Sequence, residues 1–197
     1  NPAKVAERRA SLGMGENEKV VLVGARLSYE KGVDCFLRAV KVLADRGVKA
    51  RFLVAGHGPM EHELRELASE LGLSETVRFL GFVSDLEILI EMADVVVMPS
   101  YAEGLPNVAL ETFGAARPLV ASRVGGLVDL SMINKEAILL TKPKNYVDLA
   151  DKIQTILKDS VLAERMSLAG RTILEKQLST VQVARRYEET YRKTCRK

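Results

Sequence analysis

The sequence predicts a Rossmann-like, doubly wound parallel α/β sheet with extra helices at its C-terminal end, and three patterns predict it. Short runs rich in Val and Leu are apolar on both faces instead of alternating, as strands of a parallel sheet covered on each side are. Each run is followed by a segment of 3.6-residue apolar period. After about residue 159 the strand-like runs stop while helical periodicity continues.

The units follow in order. KVVLVG (19–24) precedes a helical pattern over 33–43, and RFLVAG (51–56) precedes MEHELRELASELG (60–72). VRFLG (77–81) then leads to LEILIEMA (86–93), and DVVVMPS (94–100) to PNVALETFGAA (106–116). PLVAS (118–122) is followed by a short apolar segment through Leu130, and AILLT (137–141) by VDLADKIQTILK (147–158). Gly47, Gly72 and Gly114 stand at or just beyond helical patterns, where a residue able to take φ > 0 stops a helix. Two amphipathic helices are expected over 161–174 and 180–194, with Ser179 as N-cap of the second. No Pro/Gly/Ser linker and no repeat beyond the βα alternation divides the chain, so one domain spans 1–197.

Composition narrows the function classes. With 47% hydrophobic and 28% charged residues the chain is an ordinary folded protein. Its net charge of +3, from 29 basic and 26 acidic side chains, gives no reason to expect a nucleic-acid partner. Cys35 and Cys195 form no CxxC or Cys/His spacing, which fits a reducing compartment. NPAKVAERR does not read as a secretory signal, and no apolar run reaches membrane-span length, so a cytoplasmic location is expected. The basic segment ARRYEETYRKTCRK leaves peripheral membrane contact open.

In such sheets ligands bind at the carboxyl ends of the strands, so the loops after the strands are where chemistry belongs. ARLSYEKG places Arg26 and Lys31 after the first strand, where two cations suit one diphosphate; the alternative is a pair of solvated surface charges. PSYAEGLPNVALETFG puts Pro106 at the first helical position and the free N–H groups of Asn107 and Val108 at a phosphate-attracting helix start. Glu103 lies ahead of that start and Glu111 more than a turn beyond it, an E-x7-E spacing able to serve two parts of one ligand. Dipole compensation and plain solvation are the alternatives for these two acids. VRFLGFV offers backbone groups at Phe79, Leu80 and Gly81 to a flat heterocycle. The glycines beside His57 and the pair Gly125-Gly126 fit either close ligand approach or tight turns, with His57 read as a turn residue and His62 as solvated. No Ser/His/Asp set, metal-ligand cluster or P-loop pattern occurs, which speaks against hydrolysis through a covalent Ser or Cys.

VGARLSYEKG, VAGHGPM, VRFLGFV, ADVVVMPSYAEGLPNVALE and PLVASRVGG, in that order, resemble the C-terminal, donor-binding domain of GT-B retaining glycosyltransferases of the family 4 type (group 1). The resemblance runs from about residue 19 to the C-terminus. It implies that Arg26 and Lys31 bind the donor diphosphate and stabilise the leaving nucleoside diphosphate, with Glu103 completing the catalytic set by bonding the transferred sugar. By the same resemblance Glu111 holds the ribose hydroxyls, Leu80 lies beside the base, and the backbone of Gly104, Leu105, Pro106, Asn107 and Val108 meets the sugar and the β-phosphate. The implied donor is a UDP-, GDP- or ADP-sugar, and no metal or other cofactor is expected, because Arg26, Lys31 and the helix start take the place of a metal. The implied partner is an acceptor-binding N-terminal domain absent from this chain, without which transfer is not expected. Tyr187 and Tyr191, near one face of the last helix, are expected to pack against that domain and to leave a weakly self-associating strip here. Two departures from the family pattern occur: MINKEAILLTKP replaces a DGxTGxLV-type turn, and Asp129 stands where Glu is frequent. A non-catalytic nucleotide-sugar-binding module, or a related GT-B epimerase or phosphorylase, are the alternative functions.

Overall fold

The structure, a computed structural model, describes residues 1–15, 17–178 and 180–195. Six strands, β1 (Val20–Gly24), β2 (Arg51–Ala55), β3 (Val77–Gly81), β4 (Val95–Met98), β5 (Leu119–Ser122) and β6 (Ile138–Thr141), form one sheet in the order β3-β2-β1-β4-β5-β6. Every neighbouring pair is parallel. The helices are α1 (Pro2–Ser11), α2 (Val33–Asp45), α3 (Glu61–Glu70), α4 (Leu86–Met92), α5 (Asn107–Gly114), α6 (Gly125–Ile133), α7 (Tyr146–Lys158), α8 (Ser160–Gln177) and α9 (Thr180–Thr194). The predicted fold is therefore the observed one.

Successive strand residues feed two different cores, which is why the strands read as uniformly apolar. Val21 and Val23 of β1 face a core with Phe36, Phe52 and Ile153 under α2, α3 and α7. Val20 and Leu22 face the opposite core with Leu89, Phe113 and Leu127 from α4, α5 and α6. One helix serves both: α8 sends Met166 into the first core and Ala169 and Ile173 into the second.

Local details depart from the sequence reading in identifiable ways. The segment read only as a polar basic stretch is α1, started by Pro2 and capped by the Asn1 side chain, which accepts from the Lys4 N–H at 3.4 Å. It buries no residue and is tied down by polar contacts, Arg8 to Asp85 at 3.3 Å and Arg9 to the carbonyl of Gly15 at 2.8 Å. Pro106 is extended (φ −79, ψ 126) and caps α5 instead of opening it, so the helix starts one residue later, at Asn107. Gly47 and Gly72 take the left-handed conformation just past α2 and α3, as expected (φ 71 each). Gly114 does not. It stays inside α5, where an added Cβ would lie 3.3 Å from Leu174 of α8, and Ala116 (φ 50) takes the left-handed position in its place. The proposed cap Ser179 lies outside the described residues.

Candidate functional site

The strand order reverses at β1, which pairs with β2 on one side and with β4 on the other. At such a switch point the loops leave in opposite directions and open a crevice. A cleft of about 760 Å³ occupies it, floored by Gly24, Ala25 and Gly56 and walled by His57, Phe82 and Val108. A cavity of about 180 Å³ shares Gly24, Ala25, Arg26 and Val108 with it and adds Lys31, Ser100, Glu103, Pro106 and Asn107. Arg26, Lys31, Glu103, Pro106, Asn107 and Val108 are thus brought to one place.

Backbone packing builds this place. The chain after β1 is anchored by fully buried Leu27, whose N–H donates to the His57 carbonyl at 3.0 Å and whose carbonyl accepts from Met60 at 2.9 Å. Arg26, the residue before the anchor, is left exposed at the cleft. A single 3₁₀ turn, Tyr29–Lys31, then points Lys31 back across the sheet edge before Gly32 (φ 61) opens α2. The loops are held so closely that side chains would not fit between them. A Cβ at Gly56 would fall 1.8 Å from the Ala25 carbonyl oxygen, one at Gly58 2.4 Å from that of Leu27, and one at Gly32 2.2 Å from that of Pro99. Gly126 donates to the Gly104 carbonyl at 2.9 Å, and a Cβ on it would lie 2.2 Å from that oxygen. The glycines singled out in the sequence therefore serve the approach of one loop to another.

Charge is concentrated at one atom pair. Glu103 Oε1 accepts from Lys31 Nζ at 2.8 Å and from Ser100 Oγ at 2.7 Å, with side-chain exposures of 6% for Glu103 and 25% for Lys31. A carboxylate so far removed from water needs such donors, because an ionised group without them is strongly destabilised. Beside the pair, no side chain caps the start of α5, so its first N–H groups and the positive end of its dipole face the cavity.

Other sequence candidates fall elsewhere. Leu80 joins the partly buried side chains packed on the second core and does not line the cleft; the apolar wall there is Phe82, 74% exposed and edge-on to His57 at 5.9 Å. Glu111 is exposed on α5, and Gly104 and Leu105 are exposed on the preceding loop; none of the three lines either cavity. His57, read as a turn residue, lines the cleft. His62 is exposed and 3.3 Å from Glu66.

The sequence reading passed over Ser100 and Tyr101 because neither carries charge, although both stand in the PSYAEG motif. Tyr101 hydrogen-bonds Asp34, and burial, reinforced by that carboxylate, pushes its phenol well above the ordinary range. Nearby, the bond donated by Ser28 holds Glu30 below its usual carboxylate value, and the bond to the Tyr29 hydroxyl raises Lys144. Among the described residues no group of His, Cys, Asp and Glu is arranged to hold a metal ion, and no helix is long and apolar enough to cross a membrane.

Comparison with known proteins agrees with this geometry. A family model described as glycosyl transferases group 1 matches residues 4–173. The chain is 38% identical over 153 residues to an uncharacterized glycosyltransferase of Methanocaldococcus jannaschii, covering 77% of this chain and 39% of that protein. It is 35% identical over 167 residues to the alpha-D-kanosaminyltransferase of Streptomyces kanamyceticus, covering 84% and 43% respectively. The crystal structure of Anabaena HepE in complex with UDP superposes with a TM-score of 0.88 at 25% identity, over 98% of this chain and 53% of that one. A structure of the same protein with UDP-glucose gives 0.86 at 25% identity, over 98% and 53%. The chain spans about half the length of these relatives, or less.

Proposed function

The chain belongs to the glycosyl transferases group 1 family, and on that premise we propose that it is the C-terminal, donor-binding half of a GT-B enzyme of the family 4 type that transfers a hexose with retention of anomeric configuration. The observation that carries the reading is the small cavity in which Lys31, Arg26, Glu103 and the start of α5 converge. Breaking the bond between the anomeric carbon and the β-phosphate oxygen leaves the electron pair, and a growing negative charge, on the diphosphate. Arg26, Lys31 and the α5 N–H groups are donors placed where that charge develops, the arrangement that lowers such a barrier most and that leaves no step needing a metal. Glu103, once the diphosphate takes over Lys31, is free to accept from a hydroxyl of the transferred sugar. The base lies against Phe82 and the backbone at the end of β3, and the ribose reaches toward Glu111. Acceptor binding belongs to the part of the enzyme outside this chain, so donor binding without efficient transfer is the expected behaviour of the chain alone.

Thermal-shift measurements with UDP, GDP, ADP and their glucose and mannose conjugates test this, with UDP first because the HepE structures hold it. A ligand at a hundredfold excess over its Kd stabilises by about 2.7 kcal/mol, a rise in Tm of roughly 5–10 °C for a domain of this size. The rise should appear with one base and vanish in Lys31→Ala. No rise with any nucleotide would rule out a donor site formed by this chain alone.

A further inference from the structure

Outside the cavity, a set of side chains joins the loop that carries Glu103 to the turn that carries Lys31. The Tyr101 N–H donates to the Glu30 carbonyl at 2.7 Å. Its hydroxyl lies 2.8 and 2.9 Å from the two carboxylate oxygens of Asp34, in the first turn of α2. Its ring meets Tyr29 edge-on at 5.3 Å. Above both rings sits the Lys144 ammonium, 5.1 Å from the Tyr101 centroid and 5.6 Å from that of Tyr29, donating to the Tyr29 hydroxyl at 3.0 Å. Lys144 adopts φ 65, a conformation unfavourable for a residue with a Cβ and maintained only where the surroundings over-determine it.

Tyr101, Asp34, Tyr29 and Lys144 do not line either cavity, so they do not form the donor's own contacts. Their position in the chain gives them another use. Tyr101 is two residues before Glu103, and Asp34 is three residues after Lys31. A hydroxyl centred between both oxygens of a carboxylate tolerates little displacement, since such a bond is charge-assisted and weakens steeply with misalignment. We propose that Tyr101, acting through Asp34, is a positioning residue that holds Glu103 in register with Lys31, and thereby sets how well the site distinguishes a nucleotide carrying a sugar from the same nucleotide without one. The proposal rests on the donor-site reading. Glu103 serves the sugar in that reading, whereas the diphosphate keeps Arg26, on the other side of the Leu27 anchor, and the start of α5.

Tyr101→Phe is the test, because it removes the hydroxyl while leaving the ring against Tyr29 and the backbone bond to Glu30. Titration calorimetry with UDP and with UDP-glucose gives two affinities per variant. The wild type should prefer UDP-glucose, and Tyr101→Phe should lose about tenfold in UDP-glucose affinity, the size expected for one hydrogen bond to a charged group, while UDP changes by less than about threefold. Asp34→Asn, which keeps a carbonyl oxygen for the hydroxyl but not the charge, should lose part of the preference, and Asp34→Ala should lose all of it. If both ligands weaken by one common factor, or neither weakens, Tyr101 is a structural residue only and the proposal fails while the donor site stands. The pair titrated is the nucleotide and sugar conjugate that raise Tm most, where these are not UDP and UDP-glucose; a wild type that binds both members equally overturns the proposal alone, and one that binds none of the nucleotides overturns it together with the reading beneath it.

Discussion

Two side chains show how burial decides chemistry at the scale of single residues. Cys35 is 4% exposed on α2, and burial, assisted by neighbouring Asp34, pushes its thiol up to about 12 from an ordinary value of 9.0. Cys195 is exposed. Iodoacetamide at pH 8 should therefore add a single adduct to the native protein, at Cys195, and a second only in denaturant, as intact-mass measurement would show. Because the folded state holds the Cys35 proton more tightly than the unfolded chain, its contribution to stability is complete below pH 9 and drains away between pH 9 and 12. Tm measured against pH should fall through that window, and less steeply in Cys35→Ala. Glu103 is the counterexample, a carboxylate 6% exposed that accepts from Lys31 and Ser100 in place of water. The sequence identified the acid and the lysine by their place in the motif. It did not show that they bond each other, because that depends on two loops separated by 72 residues meeting across the sheet.

Elements were legible to the degree that they carry an apolar period. The strands and helices from β1 through α8 announce themselves because each buries a stripe or two faces. α1 was hidden because none of its residues is fully buried: Val5 packs partly on the second core and arginines tie the helix down. Gly114 misled for a related reason: a glycine near a helix end has two uses, and here it lies close under Leu174 of α8 while Ala116 takes the turn. Packing between loops makes a sharper prediction. Gly126→Ala would set a Cβ 2.2 Å from the Gly104 carbonyl oxygen, so the loop before α5 must shift. Overpacking of this kind costs about 1–3 kcal/mol, a fall in Tm of roughly 2–12 °C for a domain of this size, and nucleotide affinity should fall with it. Gly15→Ala, with nothing within 4 Å of the added atom, should leave both unchanged in the same differential scanning experiment.

For the whole molecule, the question is which parts hold the fold and which await a partner. α9 rests on α8, and its Val181, Tyr187 and Tyr191 are exposed. A chain ending at Leu178 should therefore unfold as cooperatively as the complete one, with Tm within about 2 °C, the range expected when only surface is removed. The apolar strip on α9 should make the longer chain elute earlier on gel filtration as concentration rises, and the shortened chain should not respond. Which sugar, base and acceptor would be used was not legible, since backbone groups and an exposed phenylalanine, Phe82, line the cleft where the proposed base would lie, and they carry little mark of one base over another.

The glycine-lined floor of the cleft has a consequence for descent. Where loop lies on loop with no room for a single carbon, as at Gly32, Gly56, Gly58, Gly125 and Gly126, a lineage cannot explore new side chains without giving up stability and moving the loops apart. Exposed His57 and Phe82 on the cleft wall, and exposed Leu105 on the loop before α5, meet no such limit. Proteins sharing this scaffold would then inherit the same loop crossings and vary at their margin, and a library randomised at those three positions should yield folded variants far more often than one randomised at the glycines.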